Sequence, residues 1–225
     1  MKIMKVNSDI LRVQEGIIVH GVNCQGVMAS GIAKQIRDKY PIVYSEYRRF
    51  VSKLVYSEYR RFVSKFPDPY LPEYTKNQLL GKCNYVPINS KLLIVNLFSQ
   101  FTYGYDPTVQ YASAQAIVEG MSDIFRVARL YSSKYNVPLT IHIPKIGCGL
   151  GGLDWSEVEP MINSLVDYHF NSSYRYSYNI TLYIHDLDLK ECPFCHGTGI
   201  FEHYSIQTDS LVPSECHSCR GSGLI

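Results

Sequence analysis

No stretch of the 225 residues is long and apolar enough to read as a membrane span. Charge of one sign is equally scarce. Lys and Arg total 22 against 20 Asp and Glu, a net +2 that is too small to argue for a nucleic-acid or membrane surface. The opening MKIMKVNSDILRV alternates in polarity and lacks the apolar block of a signal peptide, so a cytoplasmic protein is expected. Seven cysteines are an odd number and unevenly spread, which speaks against a disulfide framework.

What is present suits one ordinary domain with a sizeable core and a small appendage, since 46% of residues are hydrophobic. Short apolar stretches (KIMKV, GIIVHGV, CNYVPI, LLIVNLF, LTIHIP, NITLYIHD) read as strands. They alternate with helical stretches over 30–39, 43–65, 109–135 and 154–170. This order predicts an α/β layered fold, with helices on both faces of a largely parallel sheet. The pattern stops after Asp188, which divides the chain into residues 1–188 and a Cys/Gly-rich tail, 189–225.

VYSEYRRFVSK occurs at Val43–Lys53 and again, unchanged, at Val55–Lys65. A shift of twelve residues turns a helix by about 120°, so the second copy cannot bury the face that the first does. A tolerated duplication that lengthens a helix or loops out is the expectation, because twelve is not a solenoid period; an added basic, Tyr-bearing arm for a partner is the alternative.

Two strand-to-helix junctions are rich in glycine. HGVNCQGVMASGIA runs from His20 to Ala33, and IGCGLGGLDW from Ile146 to Trp155 holds four glycines in six residues. Glycine lets a ligand approach the backbone closely, and the N-terminus of the following helix offers unpaired N–H groups to an anion. Asp154 or Ser156 reads as the cap of the second helix, and Glu157 lies three residues after Asp154 as in a capping box. Two such loops at one sheet edge would form an amide-lined cleft suited to a diphosphate.

NSDIL, VNCQG…SGIA and PKIGCGLGGLDW, in this order, resemble the macro domain, a module that binds ADP-ribose and its derivatives; LLGKC and NLFSQ…YGYD add to the likeness. The resemblance implies a three-layer α/β/α fold over residues 1–188. It implies that Asp9, with Ile10 beside it, meets the adenine, and that Asn23 faces the distal ribose. Gly26, Ser30, Gly31, Ile32 and Ala33 would wrap that ribose and one phosphate. Gly147, Cys148, Gly149, Leu150 and Gly151 would cradle the diphosphate.

HGVNCQG is similar to the ADP-ribose 1″-phosphate phosphatase branch, which carries a histidine three residues before the asparagine. The likeness makes His20 a catalytic proton carrier and Asn23 its partner in water activation. Some relatives that remove ADP-ribose use a lysine where Gln100 stands and an acid where Gly151 stands, a pair this chain lacks. Hydrolysis at the distal ribose C1″ is the leading expectation. A non-catalytic ADP-ribose reader and a glycohydrolase acting on modified protein or nucleic acid are the alternatives. Asp106, Asp154, Tyr103 and Tyr105 are further residues expected near the cleft.

In the tail, CPFCHGTG and CHSCRGSG repeat C-x-x-C-x-G-x-G. Cys192, Cys195, Cys216 and Cys219 are expected to hold one structural Zn²⁺ as four thiolates. The pattern resembles the zinc module of DnaJ-type chaperones, with two repeats where one zinc needs two. The partner of this module is not readable from sequence, and its few basic residues make nucleic acid the weaker choice.

Overall fold

The computed structural model describes residues 1–63, 78–171, 178–187, 200–205 and 210–215. The chain divides into two compact units: Met1–Met4 with Ile10–Ile184, and Lys5–Asp9 with His185–Ile225.

A six-stranded sheet has the order β1–β6–β5–β2–β4–β3, with β1 at Lys2–Val6, β2 at Gly16–Asn23, β3 at Cys83–Pro87, β4 at Leu92–Gln100, β5 at Leu139–Pro144 and β6 at Ile180–His185. Strand β2 runs parallel to both β4 and β5, and β3 is antiparallel to β4. The expected mixed, largely parallel sheet is what forms.

Alternation along the strands divides the core by face. Ile17, Val19, Val95 and Leu97 point to one side, where α3 (Ala114–Tyr135) and α4 (Trp155–Val166) contribute Ile117, Met121, Phe125, Val158 and Ile162. Ile18, Val22, Ile94 and Phe98 point to the other, against Ile36 of α1 (Gly31–Lys39) and Val43, Tyr47 and Val51 of α2 (Pro41–Val63). The first copy of the duplicated segment thus supplies the buried stripe, and the helix runs on through most of the second.

Two helix boundaries differ from expectation. Helix α3 begins at Ala114 rather than Val109, because the Tyr111 and Ala112 amides donate to Gly151 O at 2.9 and 2.8 Å and Ser113 caps the helix by accepting from Ala116 N. It ends at Asn136, whose φ of 52° gives the left-handed turn that stops a helix. Helix α4 ends at Val166, and the chain continues as a π turn over Asp167–Asn171.

In the second unit, β7 (Ile200–Ser205) and β8 (Ser210–Glu215) form an antiparallel hairpin. The sequence reading had not anticipated it.

Candidate functional site

Strand β2 leads into α1 on one face of the sheet, while its neighbour β5 leads into α4 on the opposite face. Where adjacent parallel strands send their chains to opposite faces, a crevice opens beyond their C-terminal ends, and ligands of α/β sheets bind there. Both glycine-rich loops start at this crevice.

The first loop is braced by side chains. Asn23 Oδ1 accepts from Gln25 N at 2.9 Å and Val27 N at 3.3 Å, and Asn23 Nδ2 donates to Val27 O at 2.6 Å. The buried Tyr47 hydroxyl donates to Asn23 O at 2.6 Å and accepts from Gly26 N at 3.0 Å. Gly26 holds φ +82°, a left-handed conformation that side chains disfavour. The amides of Gln25, Gly26 and Val27 are therefore engaged inside the loop. The free donors come later. Gly31, Ile32 and Ala33 open α1, so their N–H groups have no helical acceptor, and the Ser30 hydroxyl makes no capping bond.

The second loop is held mainly by backbone-to-backbone bonds. Leu153 N donates to Gly147 O, Gly152 N to Gly149 O and Cys148 N to Lys145 O. The N–H groups of Gly147, Gly149, Leu150 and Gly151 are left without acceptors among the described residues. A Cβ on Gly151 would collide with Gly147 O and stand 2.9 Å from Ala112 Cβ and 3.0 Å from Gln100 Nε2. Gln100 also pairs with Asn23 across the β2–β4 register, and its carbonyl accepts from Cys24 N. The half-buried Gln100 thus touches both loops.

Several proteins of known name share this architecture. No family model matches the chain. The DNA ADP-ribosyl glycohydrolase of Mycobacterium tuberculosis is 27% identical over 161 residues, covering 70% of this chain and 37% of that protein. The ADP-ribose 1″-phosphate phosphatase of Candida albicans is 24% identical over 159 residues, 69% of this chain and 85% of that one. The macrodomain of Thermus aquaticus DarG superposes with a TM-score of 0.55 at 18% identity, over 82% of this chain and 97% of its own. The fold is that of a macrodomain. The chain spans little more than a third of the length of the first curated relatives it matches.

Within this fold the expected site residues divide. Asn23, Gly26, Ser30–Ala33, Gly147 and Gly149–Gly151 gather at the crevice. Cys148 lies in the second loop, but its amide is engaged and burial pushes its thiol up to about 11, so it offers neither a donor nor a nucleophile. The Ile10 side chain is buried in the core on the α1/α2 side, leaving only backbone to a ligand. Asp9 belongs to the second unit, where its carboxylate favours the charged form of His185 against the burial that disfavours it. Asp106 accepts from Thr108 N and Oγ1, and Asp154 caps α4 by accepting from Ser156 N at 2.8 Å; both hold local turns. Tyr103 and Tyr105 are exposed. The four tail cysteines lie outside the described residues.

The structure places His20, the expected proton carrier, inside the core. Its ring is fully enclosed, and Nε2 lies 2.7 Å from Asn96 Oδ1, whose Nδ2 donates to Asn84 Oδ1 at 2.9 Å. The register aligns the three residues across β2, β4 and β3. Because the Asn96 oxygen must accept, His20 is the neutral Nε2–H tautomer, and Nδ1 makes no regular hydrogen bond. Burial lowers its pKa to about 4. A general base for neutral pH needs access to water and a pKa near 7. His20 has neither, and the ladder ties the central strands together.

Sequence reasoning missed Tyr47, Asn96 and Asn84. Tyr47 is hidden inside a repeat that drew attention as an anomaly. The His20–Asn96–Asn84 ladder joins residues up to 76 apart in sequence, with no local signature.

Proposed function

We propose that this macrodomain binds ADP-ribose or a derivative and hydrolyses a bond at the distal ribose C1″, with ADP-ribose 1″-phosphate as the first substrate. The observation that carries the reading is the convergence of unbonded N–H groups, Gly31–Ala33 and Gly147 with Gly149–Gly151, at the ends of adjacent strands β2 and β5. Their partial positive charge suits a diphosphate. Asn23 keeps one Nδ2 hydrogen for a ribose hydroxyl after its bond to Val27 O.

With His20 enclosed, the attacking water finds its proton acceptor on the ligand. The water oxygen forms the new bond at phosphorus or C1″, the leaving oxygen takes the broken bond's electron pair, and the water proton passes to a ligand phosphate oxygen. Loop amides meet the developing negative charge. Phosphate release from ADP-ribose 1″-phosphate, with calorimetry on ADP-ribose, tests this. Turnover and binding are expected; ADP-ribose binding weaker than about 1 mM would sink it.

A second reading, a reader that binds without catalysis, is favoured by the same enclosure of His20 and by glutamine at position 100; a hydrolase for ADP-ribosylated protein or nucleic acid that works without the lysine–acid pair is the alternative. Binding of ADP-ribose without phosphate release points there, and ADP-ribosylated protein and DNA are then the substrates to try.

For the tail we propose one structural Zn²⁺ held by Cys192, Cys195, Cys216 and Cys219, in a chain that works in the reducing cytoplasm. The hairpin supports this. Ile200 pairs with Glu215, and in sequence Gly199 closes the first motif just before Ile200 while Cys216 opens the second just after Glu215, so the described residues that adjoin the two motifs are partners in the ladder. Metal analysis should give about one zinc per chain, lost on Cys192→Ser with Cys216→Ser. A metal-free wild type with its cysteines reduced would overturn the assignment.

A further inference from the structure

We propose that Arg48 is a specificity residue for a phosphomonoester carried beyond the distal ribose, which distinguishes ADP-ribose 1″-phosphate from ADP-ribose. The inference rests on the reading above that Asn23 faces the distal ribose.

Arg48 follows Tyr47 on α2, and the two residues address the same glycine from different sides. Tyr47 holds the Gly26 amide by a buried hydrogen bond. The stem of Arg48 lies along the outer face of that glycine, where a Cβ would meet Arg48 Cδ at 3.7 Å and Nε at 3.9 Å. The absence of a side chain at Gly26 leaves room for the Arg48 stem beside the loop that begins at Asn23.

The guanidinium is also uncommitted. Its neighbours are matched with carboxylates or carbonyls: Lys34 and Arg37 with Asp38, Arg49 with Glu46, and Lys39 with the Leu11 carbonyl. Among the described residues Arg48 has no carboxylate partner. Its contacts are the Tyr44 ring, 5.9 Å from centroid to Cζ, and a long 3.5 Å approach of Nη1 to the Tyr44 hydroxyl. The aromatic ring holds the planar head without neutralising it.

The amides already described suit the shared diphosphate, which both nucleotides possess. A charged fork three residues past Asn23 suits a group that only one of them carries. A terminal phosphomonoester presents two or three oxygens to a guanidinium, which binds them in parallel pairs that a hydroxyl cannot offer.

The test is calorimetric affinity for ADP-ribose and for ADP-ribose 1″-phosphate, using wild type, Arg48→Gln, Arg48→Lys and Arg60→Gln. Arg60 has the same flanking sequence one copy later, about 18 Å farther along the helix, and controls for loss of one charge. Arg48→Gln is expected to weaken the phosphorylated ligand by about 10-fold, the effect of losing a charge-assisted hydrogen bond, and to leave ADP-ribose unchanged. Arg48→Lys should recover part of the loss, and Arg60→Gln should match wild type. Equal losses on both ligands would make Arg48 a support of the loop and overturn the assignment, as would no change on either. If wild type binds neither nucleotide, the proposed function itself fails; if it binds both and Arg48→Gln discriminates nothing, only this inference does.

Discussion

The two glycine-rich loops reach the same crevice by opposite means. The first is built by side chains: the Asn23 amide and the Tyr47 hydroxyl engage three consecutive amides and both ends of the turn. The second is built by the absence of side chains, with backbone-to-backbone bonds and a glycine at Gly151 packed against Gly147 O, Ala112 and Gln100. A loop of the first kind fails when a group is removed. A loop of the second kind fails when one is added. The first keeps its free donors outside the braced turn, at the start of α1, whereas the second keeps them inside.

Addition at the second loop should give the largest effect. In Gly151→Ala the new methyl meets a backbone carbonyl, which cannot rotate away as a side-chain end can. We expect a stability loss of about 3 kcal/mol, at the upper end for overpacking, and a fall in ADP-ribose affinity of at least ~100-fold. Denaturant unfolding and calorimetry on the same variant give both numbers. Wild-type affinity would mean that the loop yields and that the comparison between the loops is wrong.

Beneath the first loop, the His20 ladder makes stability depend on pH. The folded pKa is lowered from 6.5 to about 4 by burial. Above pH 6.5 both folded and unfolded states carry a neutral ring, so its contribution is fully present. As pH falls, the unfolded chain takes up the proton first, and stability declines until the folded ring also protonates near pH 4. The full shift corresponds to ~3 kcal/mol. His20→Gln keeps a donor for Asn96 and cannot titrate, so the gap between wild type and variant should narrow in wild type's disfavour between pH 7 and 4.5. Parallel curves for the two proteins would show that His20 does not titrate in this range.

Removal at the first loop should act next. Tyr47→Phe leaves Gly26 N and Asn23 O without a buried partner, at about 2 kcal/mol for the unsatisfied pair. Affinity should fall with it, because Gly26 and Asn23 lose their brace. The same substitution at Tyr59 in the second copy is the control. Equal effects at Tyr47 and Tyr59 would contradict the division of labour between the copies.

These cases separate what the sequence made legible from what it did not. Strand alternation and the glycine clusters were local signals, and the sheet, both loops and the Asp154 cap followed from them. The expected start of α3 lies five residues early because helical periodicity extends through Val109–Ser113, while tertiary bonds from Tyr111 and Ala112 to Gly151 O hold those residues out of the helix. The enclosure of His20 is invisible along the chain for a related reason. Its position before Asn23 is visible along the chain, but its enclosure depends on Asn96 and Asn84 from other strands. Tyr47 and Arg48 gave no signal beyond belonging to a repeat, since only the folded helix brings them to Gly26.

The smallest expected effect gives the sharpest test of how the second loop works. Leu150 is 48% exposed, so its side chain buries little on folding, and its free group is the backbone N–H. Leu150→Ala retains that N–H and shortens only the side chain. Stability should change by less than about 0.5 kcal/mol, as for exposed positions generally, and ADP-ribose affinity should stay within twofold. A ligand held by amides is indifferent to this substitution, whereas a ligand resting on the leucine loses contact area. A marked loss of affinity without a change in stability would therefore assign the second loop a side-chain role and remove its contrast with the first.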